Sequence, residues 1–366
     1  MSQQANSPAS HTSNTNSTRP VLIMAGGTGG HVFPALACAT ALKGKGIPVH
    51  WLGTRKGLES RVVPNAGLDI SYISISGLRG KSRWTQIFAP FRLLYAIYQA
   101  GWVMAKVQPG AVLGMGGFAS GPGGIAAWML GIPLLIHEQN AIPGLTNRIL
   151  ARFAKRVMEA FPGTFAKKYQ ALHTGNPLRF DILSINPPSP RPLHSPLRLL
   201  VLGGSLGAQA LNMTLPQAVQ KMKNPVQLWH QTGRQGSVMR REQHDDRVEP
   251  FIENMAAAYR WADIIVCRAG AMTVSEVAQA GLPAIFIPFP FAVDDHQTAN
   301  AKFLVDEGAA LLIQQTDLNA DKLANLLDEL CAQPERLQHM SATARALARP
   351  KAVSKVIKTC LGVRKQ

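Results

Sequence analysis

The stretch VLIMAGGTGGH, Val21 to His31, reads as a strand of branched apolar residues that breaks into glycines and re-forms as a helix. LRLLVLGGSLGA, Leu197 to Ala208, repeats that order in the other half of the chain. A strand that turns through glycine directly into a helix is how a doubly wound α/β domain begins. Two such openings predict two similar domains facing one cleft. Gly26, Gly27, Gly29 and Gly30 in the first turn, and Gly203, Gly204 and Gly207 in the second, supply positive φ and remove side chains between backbone amides and a ligand. Amides and a helix N-terminus then meet at one point, which suits a phosphate or diphosphate. Neither turn spells GxGxxG, because Val32 and Ala210 stand where the last glycine is needed. GxxxxGK[ST] does not occur either, so a dehydrogenase fingerprint and a P-loop both fail, and a plain tight turn stays open for each loop taken singly.

With 366 residues, 46% of them hydrophobic, the chain can bury two cores of ordinary size. Residues 1–18, MSQQANSPASHTSNTNST, have no basic n-region and no apolar h-region, so they read as a polar disordered tail rather than a secretion signal. Cys38, Cys267, Cys331 and Cys360 lie far apart with no CxxC, which argues against a disulfide framework or a zinc site and for a cytoplasmic protein. Ile125 to Ile136 is the longest apolar stretch, too short for a bilayer, and reads as a helix end followed by a buried strand.

Alternating strands and helices run through both halves, implying parallel sheets covered on two faces. First-half strands are expected at Val21–Met24, Val49–Leu52, Ile70–Ile75, Ala111–Leu113, Pro133–Ile136 and Arg156–Met158. NPPSPRPLHSP, Asn186 to Pro196, can continue neither helix nor central strand and reads as a hinge. Strands then resume at Leu199–Leu202, Val226–His230, Val248–Phe251, Ile264–Cys267, Ala284–Ile287 and Ala310–Ile313.

Charge is unevenly spread: 17 Lys and Arg against 4 Asp and Glu up to Asn176, and 21 against 17 beyond it. A basic first half suits nucleic acid, anionic lipid or an anionic substrate. Lysine-arginine blocks and RNA-binding motifs are absent, which excludes nucleic acid as the reading. Arg79, Lys81, Arg83, Arg92 and Lys106 flank or interrupt a helically spaced series, Trp84, Ile87, Phe88, Phe91, Leu94, Tyr95, Tyr98 and Trp102. The stripe has two readings: a core-facing helix, which the spacing favours for most of it, and an exposed end resting on a membrane surface.

The second half carries the most specific chemistry. In WADIIVCRAGAMTVSEVAQAGLPAIFIPFP a buried strand ends at Cys267, a turn follows, and a helix from Ala271 to Ala280 aims its N-terminus at the cleft. Amides and the hydroxyls of Thr273 and Ser275 suit a diphosphate; Glu276 would repel one and makes sense as an acceptor for a ribose diol, with ordinary capping as the alternative. PFPFAVDDHQTAN, Pro288 to Asn300, reads as a loop before another helix, its Asp-Asp-His an N-cap rather than a metal site, and no DxD occurs.

GGTGGHVFPALA, ISGLRGK, VLGMGGFASGPGG, HEQNAIPGLTNR, GNPLR, GGSLGAQALN, CRAGAMTVSE and DDHQTANA, in order from about Pro20 to the C-terminus, together resemble the bacterial N-acetylglucosaminyltransferases of peptidoglycan synthesis, glycosyltransferase family 28. The resemblance implies a GT-B fold of two Rossmann-like, doubly wound parallel-sheet domains. It implies inverting transfer of GlcNAc from UDP-GlcNAc to the 4-hydroxyl of undecaprenyl-diphospho-MurNAc-pentapeptide (lipid I), forming lipid II, with no metal and no cofactor. Residues 19–180, joined by a helix from 350–366, would bind acceptor and membrane; 181–196 would be the linker and 197–349 the UDP-GlcNAc domain. By motif match, Thr28, Gly29 and Gly30 line the donor pocket, Asn140 contacts the transferred sugar, and Arg179 and Ser205 meet the diphosphate. Ile252 binds uracil through its backbone; Ala271, Met272, Thr273, Val274, Ser275 and Glu276 surround diphosphate and ribose; Gln297, with His296, meets GlcNAc hydroxyls.

Single displacement needs a base for the acceptor proton and stabilisation of departing UDP. The helix at Ala271, with Arg179 and Ser205, serves the second need; His31, an imidazole just after the first turn, is the candidate base, with His137 and Glu138 as rivals and a purely structural role open. The expected partners are an anionic membrane surface at the cytoplasmic face of the inner membrane and other cell-wall enzymes. The family often carries tyrosine where this chain has Phe118, so a role for that hydroxyl does not carry over. A UDP-GlcNAc 2-epimerase on the same fold and a non-enzymatic basic binding protein are the competing readings.

Overall fold

The computed structural model describes residues 19–77, 88–186, 196–204, 207–233 and 245–364. The polar tail, most of the proline-rich hinge, Ser205, and the stretch containing Arg79, Lys81, Arg83, Trp84 and Ile87 lie outside them.

Strands β1 (Val21–Met24), β2 (Val49–Gly53), β3 (Asp69–Tyr72), β4 (Ala111–Gly114), β5 (Leu134–Glu138), β6 (Arg156–Glu159) and β7 (Leu172–His173) form one sheet. Their order is β3-β2-β1-β4-β5-β6-β7 and every pairing is parallel. The connecting helices are α1 (Gly29–Lys43), α2 (Glu59–Asn65), α3 (Ala89–Val107), α4 (Ser120–Met129) and α5 (Leu145–Leu150), with α6 (Phe180–Leu183) after the last strand. The second sheet has β8 (Leu197–Leu202), β9 (Val226–Gln231), β10 (Arg247–Glu249), β11 (Ile264–Cys267), β12 (Ala284–Phe286) and β13 (Ala310–Leu312), in the order β10-β9-β8-β11-β12-β13. With it run α7 (Gln209–Lys221), α8 (Met255–Trp261), α9 (Ala271–Ala280), α10 (His296–Val305), α11 (Ala320–Cys331), α12 (Pro334–Leu347) and α13 (Ala352–Val363).

Strand order reverses between β1 and β4 in the first sheet and between β8 and β11 in the second. Crevices open beyond the carboxyl ends of strands at such points. Both glycine turns therefore sit at a switch point, and α9 begins at the second one. The central strands are buried throughout: Val21, Leu22, Ile23 and Met24 are all inaccessible. Helix α1 packs through Val32, Ala35, Cys38, Ala39 and Leu42, at helical spacing, and Val356, Ile357 and Cys360 of α13 join that same core. The chain end thus returns to the first sheet.

Most strands lie within a residue or two of their expected places, and the exceptions have local causes. β3 ends at Tyr72 rather than Ile75 because β2, its one partner among the described residues, ends at Gly53 opposite it. β10 covers Arg247–Glu249 rather than reaching Phe251, since Pro250 has no N–H to give. β8 starts earlier, at Leu197, and the two-residue β7 is too short to carry a periodic signal. The expected loop to Asn300 is shorter, because α10 already begins at His296.

Helix α3 overturns the core-facing reading of the aromatic stripe. Its inner face is Ala96, Ala100, Val103 and Met104. Phe91, Leu94, Tyr95, Tyr98 and Trp102 point outward, with Tyr98 69% exposed. Small residues let the helix lie close to α4, while the large apolar ones face outward; Trp128, Met129 and Leu130 at the end of α4, and Leu145 and Ile149 of α5, which packs on α4, are exposed as well.

Candidate active site

Of the first-turn glycines only Gly27 adopts positive φ, at 90°. Its N–H donates to Glu59 Oε2 at 2.9 Å, while Glu59 Oε1 accepts from the amide and hydroxyl of Thr54 at 2.9 and 2.7 Å. A wholly buried carboxylate thus braces the loop, and a side chain at Gly26 would collide with it. Sequence reasoning missed Glu59, which no motif marks. One amide of the supposed anion cradle is already taken; Thr28, Gly29 and Gly30, at the start of α1, keep the helix N-terminus facing the crevice.

His31, in the first turn of α1, is partly exposed. Gly116, with φ of 94°, lies against its ring, where any side chain would overlap the imidazole. Gly117 likewise abuts the Gly26 backbone, and Ser120 donates to the carbonyls of Met24 and Gly116 at 3.0 and 2.8 Å. This explains the small residues in GMGGFASG: the turn after β4 must pack directly under the turn after β1. Phe118 is exposed beside Gly77.

Just past the end of β5, Gln139 Oε1 meets His31 Nδ1 at 2.9 Å. Gln139 Nε2 lies 3.1 Å from His137 Nδ1 and 3.2 Å from the His137 carbonyl; His137 Nε2 lies 3.0 Å from the Gly175 carbonyl and 3.1 Å from Thr174 Oγ1. Burial pushes the His137 imidazole down to about 4. Glu138, also buried, accepts from Asn140 N and Nδ2 at 3.0 and 3.2 Å, Gly144 N at 3.1 Å and Asn147 Nδ2 at 2.9 Å. Both rivals for the base are therefore enclosed and fully bonded. Among the described residues none hydrogen-bonds His31 Nε2.

Two asparagines join this loop to the second sheet. Asn176 Nδ2 reaches the Gln139 carbonyl at 3.1 Å, Ser275 Oγ at 3.0 Å and the Ala271 carbonyl at 3.3 Å. Asn300, wholly buried on α10, accepts from Ala141 N at 2.8 Å and donates to Asn140 Oδ1 at 3.3 Å and the Ala269 carbonyl at 3.2 Å. Phe161 and Phe303 meet edge-on across the same seam at 5.1 Å. Neither asparagine was singled out from sequence, although both lie inside quoted motifs.

Helix α9 starts with Gly270 as N-cap and no capping side chain, so its first amides remain open toward the cleft. Ser275 is occupied: it donates back to Ala271 O at 2.9 Å and accepts from Asn176. Val274 is buried, so only its backbone can meet a ligand; Met272 and Thr273 are partly exposed. Tyr259 donates to Glu276 Oε2 at 2.8 Å. Burial raises the Glu276 carboxyl, opposed by that bond and by the charge of Arg179. Arg179, N-cap of α6, lies 5.9 Å from the Phe33 ring, which places it between α1 and α9.

Other expected contacts are modified. The Ile252 amide, expected at the uracil, is instead held by Gln231 Oε1 at 3.0 Å. Gln297, expected at the sugar hydroxyls, accepts from Phe289 N through Oε1 at 2.9 Å. Asp295 occupies the N-cap of α10 in the left-handed region, yet its carboxylate takes the Thr298 hydroxyl at 2.8 Å rather than a backbone amide.

Residues 21–159 match the glycosyltransferase family 28 N-terminal domain and residues 198–356 its C-terminal domain. A protein of Methylococcus capsulatus, the UDP-N-acetylglucosamine–N-acetylmuramyl-(pentapeptide) pyrophosphoryl-undecaprenol N-acetylglucosamine transferase, is 53% identical over 355 residues, covering 94% of this chain and 98% of its own. The crystal structure of Acinetobacter baumannii MurG superposes with a TM-score of 0.78 at 42% identity, covering 94% of this chain and 99% of that one. A Listeria monocytogenes protein assigned as a UDP-N-acetylglucosamine 2-epimerase superposes at 0.68 with 15% identity over 93% of this chain and 95% of its own, a likeness of fold alone.

Proposed function

Because the chain belongs to glycosyltransferase family 28, we propose that it transfers GlcNAc from UDP-GlcNAc to undecaprenyl-diphospho-MurNAc-pentapeptide, making lipid II with inversion at the anomeric carbon. The observation that carries this reading is that Asn176 and Asn300 hold the His31-bearing crevice and the N-terminus of α9 against one another. The muramoyl 4-hydroxyl attacks the anomeric carbon as His31 Nε2 takes its proton, and the bond to UDP breaks with its electron pair on the diphosphate. Open amides of α9, with Arg179, receive that charge. Glu276 holds the ribose diol, Gln297 Nε2 and Asn140 the sugar, and the Ile252 carbonyl the uracil.

No described helix is long and apolar enough to cross a membrane. On this reading the chain sits peripherally at the cytoplasmic face of the inner membrane, through the α3–α4–α5 surface and the basic first half.

The test is UDP release from UDP-GlcNAc in EDTA, with and without a short-chain lipid-linked MurNAc-pentapeptide. Acceptor-dependent release is expected. Release without acceptor returns the epimerase reading, and no release returns the binding protein.

A further inference from the structure

We infer that Gln139 and His137 form an uncharged hydrogen-bond relay that locks His31 in its Nδ1–H tautomer, with the lone pair on Nε2 free for the acceptor proton.

The direction of every bond follows from two backbone carbonyls. The Gly175 carbonyl, 3.0 Å from His137 Nε2, can only accept, so the proton of a neutral His137 ring is on Nε2. His137 Nδ1 is then a bare acceptor and takes a hydrogen from Gln139 Nε2 at 3.1 Å. The amide cannot be turned the other way, because the atom nearest the His137 carbonyl, at 3.2 Å, must also be a donor. Gln139 Oε1 therefore faces His31, and at 2.9 Å it accepts from Nδ1–H. Burial keeps the His137 ring neutral down to about 4, so the relay does not reverse at working pH. The carbonyl of Gln139 is itself held by Asn176, which ties the relay to the seam between the sheets.

An amide in this position orients the imidazole as a carboxylate would, without placing a negative charge beside a site that must admit two diphosphates. Gln139 touches no substrate in this scheme; it is a positioning residue. The relay rests on His31 acting as the base.

The test is the ring-nitrogen spectrum of 15N-histidine-labelled protein at about pH 8.5, where ordinary imidazoles are neutral. Comparison with His31→Gln and His137→Gln assigns the two residues among the 10 histidines. The expected wild-type spectrum has His31 protonated on Nδ1 and His137 on Nε2. Gln139→Met should return His31 to Nε2–H and lower kcat by at least about tenfold with donor KM unchanged, as befits a misoriented base. Where Gln139→Met does not fold, the wild-type spectrum alone tests the relay, because it reads both tautomers without any substitution at Gln139. A wild-type His31 protonated on Nε2 overturns the relay. A Gln139→Met enzyme with unchanged kcat overturns its role in turnover. Full turnover in His31→Gln would end the base reading, and with it the catalytic purpose of the relay, while the wild-type spectrum still decides the tautomers by themselves.

Discussion

Tyr259, on α8, donates its hydroxyl hydrogen to Glu276 Oε2 on α9 at 2.8 Å, which leaves Oε1 as the carboxylate oxygen able to accept from a ribose diol. Burial, followed by the charge of Glu276, raises the tyrosine pKa well above its ordinary value, so it remains a donor. Tyr259→Phe should loosen the carboxylate by about 1.5 kcal/mol, roughly a tenfold rise in donor KM with kcat much less affected. Steady-state kinetics in varied UDP-GlcNAc measures this, and an unchanged KM would refute the ribose role.

Two buried imidazoles, His137 and His230, are pushed from 6.5 to about 4 by burial. The unfolded chain takes up their protons as pH falls through 6.5, whereas the folded chain refuses them until about 4. Their stabilisation is therefore complete above 6.5 and drains away across that window, by on the order of 3 kcal/mol per histidine. Both ring nitrogens of His230 lack a partner among the described residues, so His230→Leu breaks no bond there. Urea midpoints at about pH 7.5 and 5 should differ less in His230→Leu than in wild type; equal slopes would sink the assignment.

The outward face of α3 predicts flotation with anionic vesicles that weakens with added salt. Replacing Phe91, Tyr98 and Trp102 together by serine should lower binding at least about tenfold without lowering the thermal midpoint, because all three are exposed. Undiminished flotation would remove α3 from the contact.

Asn300→Ala leaves the Ala141 amide and the Ala269 carbonyl unpaired and should cost about 2 kcal/mol in a urea titration. Asn300→Asp should cost more, since a carboxylate cannot donate to Asn140 Oδ1 and the Ala269 carbonyl. If aspartate proves milder than alanine, those two bonds do not hold the seam.

Sheets, switch-point turns and α9 were legible because branched apolar strands and glycine turns are local signals. The Ala271–Ala280 helix and the Ile125–Ile136 stretch, a helix end followed by a strand, read off directly. The direction of α3 was not legible, since helical spacing identifies a face without saying whether it meets core or water; the alanines opposite decide it. Gln139 stood between named residues, and alternation along a strand puts it on the same side as His137, which could have found it. Glu59, Asn176 and Asn300 make bonds that span as many as 32, 99 and 160 residues of chain respectively, and no spacing rule reaches that far.

Helix α5 begins five residues after Asn140 and shows Leu145 and Ile149 on its outer side, 69% and 43% exposed. Only a short stretch of chain thus separates the His31 crevice from those exposed apolar residues, and on the proposed membrane-bound reading capture of the acceptor becomes an encounter in two dimensions. What governs its rate is acceptor per unit area, so diluting the lipid with inert surfactant at constant volume should slow turnover as surely as withdrawing substrate.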